Sequence, residues 1–242
     1  MEKEWAGTTY GNGWMHKWLI RMLRFIDVRI LYGFVSIFVI PVCLAINPSR
    51  GLIYRYLRKR QKNGIIRAAW LTYVNHCLFG QVVVDRFAMY AGKKFEVEID
   101  GYDNYLRLAD NPDGFIQLSA HIGNYEIAGY TLKAEKESVM RNRQKLFSTT
   151  NINMIAIRPD MGHLFEINAA LANGEVVSMP SDRVFGSDKH LAIDFLGEKA
   201  KFPYGPFSIA TMRGLEVIAV NVLKISAKKY KIIVLSLIHI SE

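Results

Sequence analysis

The chain has 242 residues, enough for one large domain with a sizeable core, and half of them are hydrophobic. Its net charge of +9 is unevenly placed: residues 1–94 carry 15 Lys and Arg against 4 Asp and Glu, residues 95–242 carry 16 against 18. Basic charge gathered in the most apolar part argues against a uniformly basic nucleic-acid surface and for an anionic membrane face, and two cysteines in apolar stretches, Cys43 and Cys77, argue against a disulfide framework.

Residues 1–13 read as a loose, acidic lead-in, and the apolar run that follows lacks the small-residue cleavage site of a signal peptide. From Trp14 to Ile26, apolar Trp14, Trp18, Leu19, Met22, Leu23 and Ile26 interleave with Lys17, Arg21 and Arg24. That is a basic amphipathic helix with two tryptophans, suited to the headgroup layer. Ile30 to Ile46 is 17 residues without a charge, interrupted by Pro41. A spanning helix needs about 20 apolar residues, so a kinked, interfacial or re-entrant segment fits at least as well as a span. Arg50 to Arg67 then holds seven basic residues and no acid. Gly64 breaks that run, and Ile65 to Tyr90 reads as one long, mostly apolar helix.

The α/β part begins at Phe95. Phe95–Ile99 alternates as an edge strand, Tyr102–Ala109 reads as a short helix, and Asn111-Pro-Asp-Gly114 as a turn. Gly114-Phe-Ile-Gln-Leu118 is a buried strand leading into Ser119-Ala-His-Ile-Gly-Asn-Tyr-Glu126. A helix is expected from Asn124, its N-cap, to about Lys136. His121 then sits where a strand gives way to a helix, on the rim where α/β sheets place chemistry. There it can act as a base, with Glu126 holding its imidazole in one tautomer. Gly123 leaves room beside it for substrate. Taken alone, a His and a Glu at this spacing are more often exposed polar residues than a site.

Between about Thr131 and Ser148 no apolar run supplies the strand that a βαβ reading expects. Asp160–Ala172 reads as a helix closed by Asn173-Gly174, and Glu175–Met179 as a strand. The loop after it, Pro180-Ser-Asp-Arg-Val-Phe-Gly186, is a second candidate functional element, because Asp182 and Arg183 lie at the carboxyl end of a strand. A helix at Phe207–Met212 and strands at Val217–Val222 and from Lys231 follow. Ser236 to Glu242 reads as an unrelated tail on a shortened chain.

Ser-Ala-His-x-Gly-Asn-Tyr-Glu resembles the histidine–acid block of the lipid A late acyltransferases, in the wider lysophospholipid acyltransferase superfamily. Ser-Asp-Arg-x-Phe-Gly resembles that family's third block, and the likeness extends from about Trp5 to Lys224. It implies a mixed α/β sheet flanked by helices, preceded by a helical, membrane-binding N-terminus. We divide the chain accordingly into a membrane-associating part, 1–67, and an acyltransferase domain, 68–242. The resemblance implies transfer of a fatty acyl group from a thioester, on acyl carrier protein, to a hydroxyl of a membrane glycolipid such as a lipid A precursor. Other lipids or pigments, or an inactive membrane-binding remnant, are the alternatives. His121 would be the base and Glu126 its partner. Gly123 and Asn124 would offer backbone N–H groups to the oxyanion, and Asp182 and Arg183 would hold the acceptor's head. Arg158 would stand in for the family's second-block arginine. The reaction needs no cofactor and no metal, and the expected location is the cytoplasmic face of a bacterial inner membrane, monotopic or with a single span.

Three rival classes lack support in the residues. A serine hydrolase would want a Gly-x-Ser-x-Gly elbow, which Ser119 does not have. A metal enzyme would want ligands beside His121, and His163 and His190 stand at no ligand spacing. A purely binding protein leaves the His121 block without a task.

Overall fold

The computed structural model describes residues 13–47, 50–109, 112–124, 155, 161–184 and 189–237. The chain forms two compact units, Met1–Lys94 and Phe95–Glu242.

The first unit is helical. Helix α1 (Gly13–Leu23) buries Leu23 completely and leaves Trp14 and Trp18 exposed, as a headgroup-layer helix would. Asp27 then caps α2 (Val28–Phe34), accepting from the Arg29 N–H at 2.9 Å. The helix continues through a π-helical turn (Val35–Val39) into α3 (Ile40–Ile46). In that turn the Ile40 N–H reaches back to the carbonyl of Val35. Pro41 has no N–H to give and its ring presses on the carbonyl four residues earlier; a wider turn just ahead of it relieves both problems. Val28–Ile46 is 19 residues, long and apolar enough to cross a membrane by length and composition.

Basic α4 (Arg50–Lys59) follows, then α5 (Ile65–Tyr90), which starts at Gly64 and packs along α1 to α4. Gly80 lets α5 approach the π-turn: a Cβ there would lie 2.9 Å from Val35 Cγ1. The polar groups α5 buries are paired. Thr72 donates to the Ala68 carbonyl at 2.7 Å, His76 Nδ1 contacts the Thr72 carbonyl at 2.8 Å, and Asp85, fully buried, accepts from the Tyr32 hydroxyl. Helix α5 is continuous through residues 67 and 68, and the two compact units meet in sequence at Lys94/Phe95.

The second unit is a mixed five-stranded sheet with helices against it, in the order β1-β7-β6-β2-β3. Its strands are β1 (Glu96–Asp100), β2 (Phe115–Gly123), β3 (Val176–Pro180), β6 (Val217–Ser226) and β7 (Lys229–Leu237). All neighbours pair in parallel except β6 and β7. Alternate residues of the central strand face opposite sides. Ile116 and Leu118 join Val177 and Val217 under helices α7 (Gly162–Ala172) and α8 (Gly205–Arg213), which contribute Ile167, Leu171, Ile209 and Ala210. Phe115, of the other parity, meets Tyr105 of helix α6 (Tyr102–Ala109) edge to face.

Helix α7 ends as expected at Asn173-Gly174. Gly174 is left-handed (φ +74), its N–H bonds the Leu171 carbonyl, and the Glu175 N–H bonds that of Ala170, the paired closure of a Schellman motif. Edge strand β1 carries Glu96, Glu98 and Asp100 against Lys229 and Lys231 of β7, charges that discourage pairing with another chain. Two features depart from expectation. Ser236 and Leu237, read as part of an unrelated tail, pair with Ile218 and Val217 inside the sheet. A separate hairpin, β4 (His190–Phe195) and β5 (Glu198–Pro203), was not foreseen. Its two-residue loop is Leu196-Gly197, both at positive φ, which matches the right-handed twist of the strands.

Candidate active site

The site lies at the carboxyl ends of β2 and β3. The central strand is longer than the apolar run that announces it: it continues through Ser119 to Gly123, so His121 is part of a strand end. The continuation is irregular. Five residues of β2, Ser119 to Gly123, lie against only three of β6, Val220 to Val222. Such a bulge bends the strand and re-aims its side chains, and His121 stands in the middle of it.

Gly123 makes the bulge possible. Its φ is +60, and a Cβ would fall 1.9 Å from the Val222 carbonyl oxygen. A side chain at this position would meet the backbone of β6, so the glycine is needed for that close approach.

β3 brings the second set of groups. Its ladder with β2 reaches Ser119↔Pro180, and the Ser181 N–H extends it by donating to the Ser119 carbonyl at 2.8 Å. Pro180, which has no N–H, is tolerated because β3 is an edge strand. The next residue, Asp182, holds His121 by two bonds. His121 Nδ1 is 2.8 Å from Oδ1, and the His121 backbone N–H donates to Oδ2 at 3.0 Å. An ionised carboxylate only accepts, so Nδ1 carries the proton and Nε2 presents a lone pair. Arg183 takes that lone pair: its guanidinium lies 3.0 Å from Nε2. Both oxygens of Asp182 are engaged by His121.

Burial pushes the Asp182 carboxyl up, but hydrogen bonds from the His121 ring and backbone outweigh it, and the group stays below its ordinary value. It is ionised at neutral pH. The side chains of His121 and Asp182 are each about one-third exposed, so the pair is open to substrate and still shielded from much of the water.

Asn124 follows the bulge. It is 3% exposed, and its Nδ2 has no hydrogen-bond partner among the described residues. A buried amide donor left unpaired among the described residues, three positions from His121, is the kind of exception that a ligand satisfies. The other expected site residues, Glu126 and Arg158, lie outside the described residues, as does the helix expected after Asn124. The His121–Asp182 pair was missed, although both residues had been singled out. Its only signal was that each stands at the carboxyl end of a strand, and sequence alone does not say that the two strands are neighbours. Among the described residues no three His, Cys, Asp or Glu side chains gather to hold a metal ion. A cavity of about 400 Å³, lined by Asp113, Gly114, Phe115, Leu171 and Arg213, lies at the amino end of β2, away from this chemistry.

In comparison with known proteins, the family model described as bacterial lipid A biosynthesis acyltransferase matches residues 59–241, about three quarters of the chain. No curated protein matches it.

Proposed function

The chain belongs to the bacterial lipid A biosynthesis acyltransferase family, and from that premise we propose that it moves a fatty acyl group from acyl carrier protein to a hydroxyl of a lipid A precursor, with His121 as general base. Membership makes it an acyltransferase of lipid A biosynthesis, associated with membranes and using an acyl donor and a lipid acceptor. The finer reading concerns which donor, which acceptor and which residues.

The observation that carries it is the contact between His121 and Asp182. Asp182 fixes the tautomer in which Nε2 carries the lone pair, the nitrogen that takes the proton, and it stabilises the imidazolium once that proton arrives. The acceptor hydroxyl attacks the thioester carbonyl as Nε2 takes its proton, so a C–O bond forms and the carbonyl becomes an oxyanion. Collapse breaks the C–S bond, and the leaving thiolate receives the proton from the imidazolium. No covalent enzyme intermediate is needed. The unpaired Nδ2 of Asn124 is a donor suited to the oxyanion. Glu126 keeps its proposed part as a second carboxylate for the imidazolium, Arg158 that of an acceptor contact, and Arg183 that of a cation for the acceptor's head.

The helical unit supplies the membrane side. Trp14 and Trp18 are exposed on α1, and Phe34, Ile37, Phe38 and Val42 are exposed along Val28–Ile46. With the cations of α4 these support attachment to the anionic cytoplasmic face of a bacterial inner membrane, monotopic or by one span. The test is mass spectrometry of lipids after expression in a host lacking its own late acyltransferase. A lipid A species heavier by one acyl group is expected, and an unchanged lipid A profile beside a change in some other lipid would overturn the choice of acceptor.

A further inference from the structure

The proton-accepting nitrogen of His121 is not free in this structure. Arg183 donates to Nε2 at 3.0 Å, and a lone pair engaged with a guanidinium cannot receive a hydroxyl proton. Asp182, one residue earlier on the same loop, holds the opposite side of the ring through Nδ1. The two neighbours therefore have opposed effects: Asp182 readies the imidazole and Arg183 blocks it. Arg183 is exposed and sits on a loop beyond a strand end, so its side chain can swing without disturbing the sheet. A guanidinium has a better partner than a neutral imidazole in any oxyanion that accepts two of its N–H groups, as a phosphate does.

We propose that Arg183 is a latch on the catalytic base, released when an anionic group of the acceptor, of the phosphate class, takes its guanidinium. This rests on His121 being the base. It goes beyond a binding role for Arg183, since it makes deprotonation conditional on the acceptor's charge. Water, or a neutral alcohol, finds Nε2 occupied, which protects the acyl thioester from wasteful hydrolysis. Arg183 is thus a positioning and specificity residue that acts through His121.

The test reads the availability of Nε2 directly. Full-length protein, wild type and Arg183→Gln, is treated with diethyl pyrocarbonate, and carbethoxylation of His121 is followed by peptide mass spectrometry. Inorganic phosphate is the probe, against chloride at equal ionic strength. Without phosphate, His121 should react about tenfold faster in Arg183→Gln than in the wild type, the shift that loss of one charge-assisted hydrogen bond produces. Phosphate should speed the wild type towards the variant and leave the variant unchanged. Equal rates in the two proteins, with no effect of phosphate, would overturn the latch. It would leave the role of His121 to be judged separately by His121→Ala.

A second arm tells the acceptor's own anion from a free one. The preference for a phosphorylated over a dephosphorylated acceptor, measured as a ratio of kcat/KM, should collapse about tenfold in Arg183→Gln. Arg183→Lys, which keeps the charge but loses the two-pronged geometry, should recover only part of it. A preference untouched by either substitution would show that the released anion is not the acceptor's, and the coupling would be wrong.

Discussion

Two backbone features meet at His121. The bulge in β2 turns the residue out of the ladder, and the end of β3 delivers a carboxylate to both its ring and its own N–H. Asp182→Asn removes the charge and offers Nδ1 a group that is no longer acceptor-only, so transfer should fall by about 10²–10⁴-fold. Adding Asp182→Asn to His121→Ala should cost little more than His121→Ala alone, because residues acting as a unit are not additive. A double variant much worse than either single one, in a steady-state transfer assay, would mean that Asp182 has a separate task. Gly123 carries a sharper stability prediction. Gly123→Ala forces a left-handed alanine and a Cβ into the Val222 carbonyl, whereas Gly197 is also left-handed (φ +82) but has open space around it. Gly197→Ala should cost about 1 kcal/mol and Gly123→Ala more than about 2 kcal/mol by denaturant unfolding. Equal costs would show that the close approach of β6 is not what the glycine serves. Asp182 also gives a pH dependence. Its carboxyl is lower in the folded chain than its ordinary value of about 3.9, so its stabilising contribution is present above that value and lost as pH falls through the lower folded one. The wild type should therefore lose more melting temperature between pH 7 and pH 3 than Asp182→Asn loses.

At the scale of elements, the helix Ile65–Tyr90 and the helix Tyr102–Ala109 were legible residue for residue. Each is bounded by a glycine, and each carries apolar side chains at helical spacing. Less was legible where tertiary contact decides. Ser119 to Gly123 has no strand pattern of its own; it is extended because β6 accepts it through a bulge. The hairpin at 190–203 did leave a signal, two alternating runs around Leu196-Gly197, but a leucine at positive φ disguised the turn. In the basic helix α4 the cations are not equivalent. Arg58 donates to the Asn63 carbonyl at 2.5 Å and so closes the chain after the helix, whereas Lys59 is exposed. Neutralising Arg55 and Lys59 should weaken binding to anionic vesicles by about 1 kcal/mol per charge at low salt, and by much less at high salt. Equal weakening at every ionic strength in a sedimentation assay would indicate damage to the helix in place of lost attraction.

The whole molecule joins a helical unit rich in exposed apolar and basic side chains to a unit built on a mixed sheet, where His121 and Asp182 lie. A contrast between the two parts could be read from charge, since the basic excess lies in 1–94 and not in 95–242. The pairing of His121 with Asp182 could not, because it depends on β2 and β3 being neighbours, which is a property of topology. The central claim is that His121 is the base for acyl transfer at a membrane. It is tested most directly by following transfer from acyl carrier protein to a phosphorylated lipid A precursor in membranes holding wild-type or His121→Ala protein. The variant should remain membrane-bound and folded by circular dichroism while its rate falls by about 10²–10⁴-fold. A folded, membrane-bound His121→Ala protein that transfers at the wild-type rate would contradict the claim.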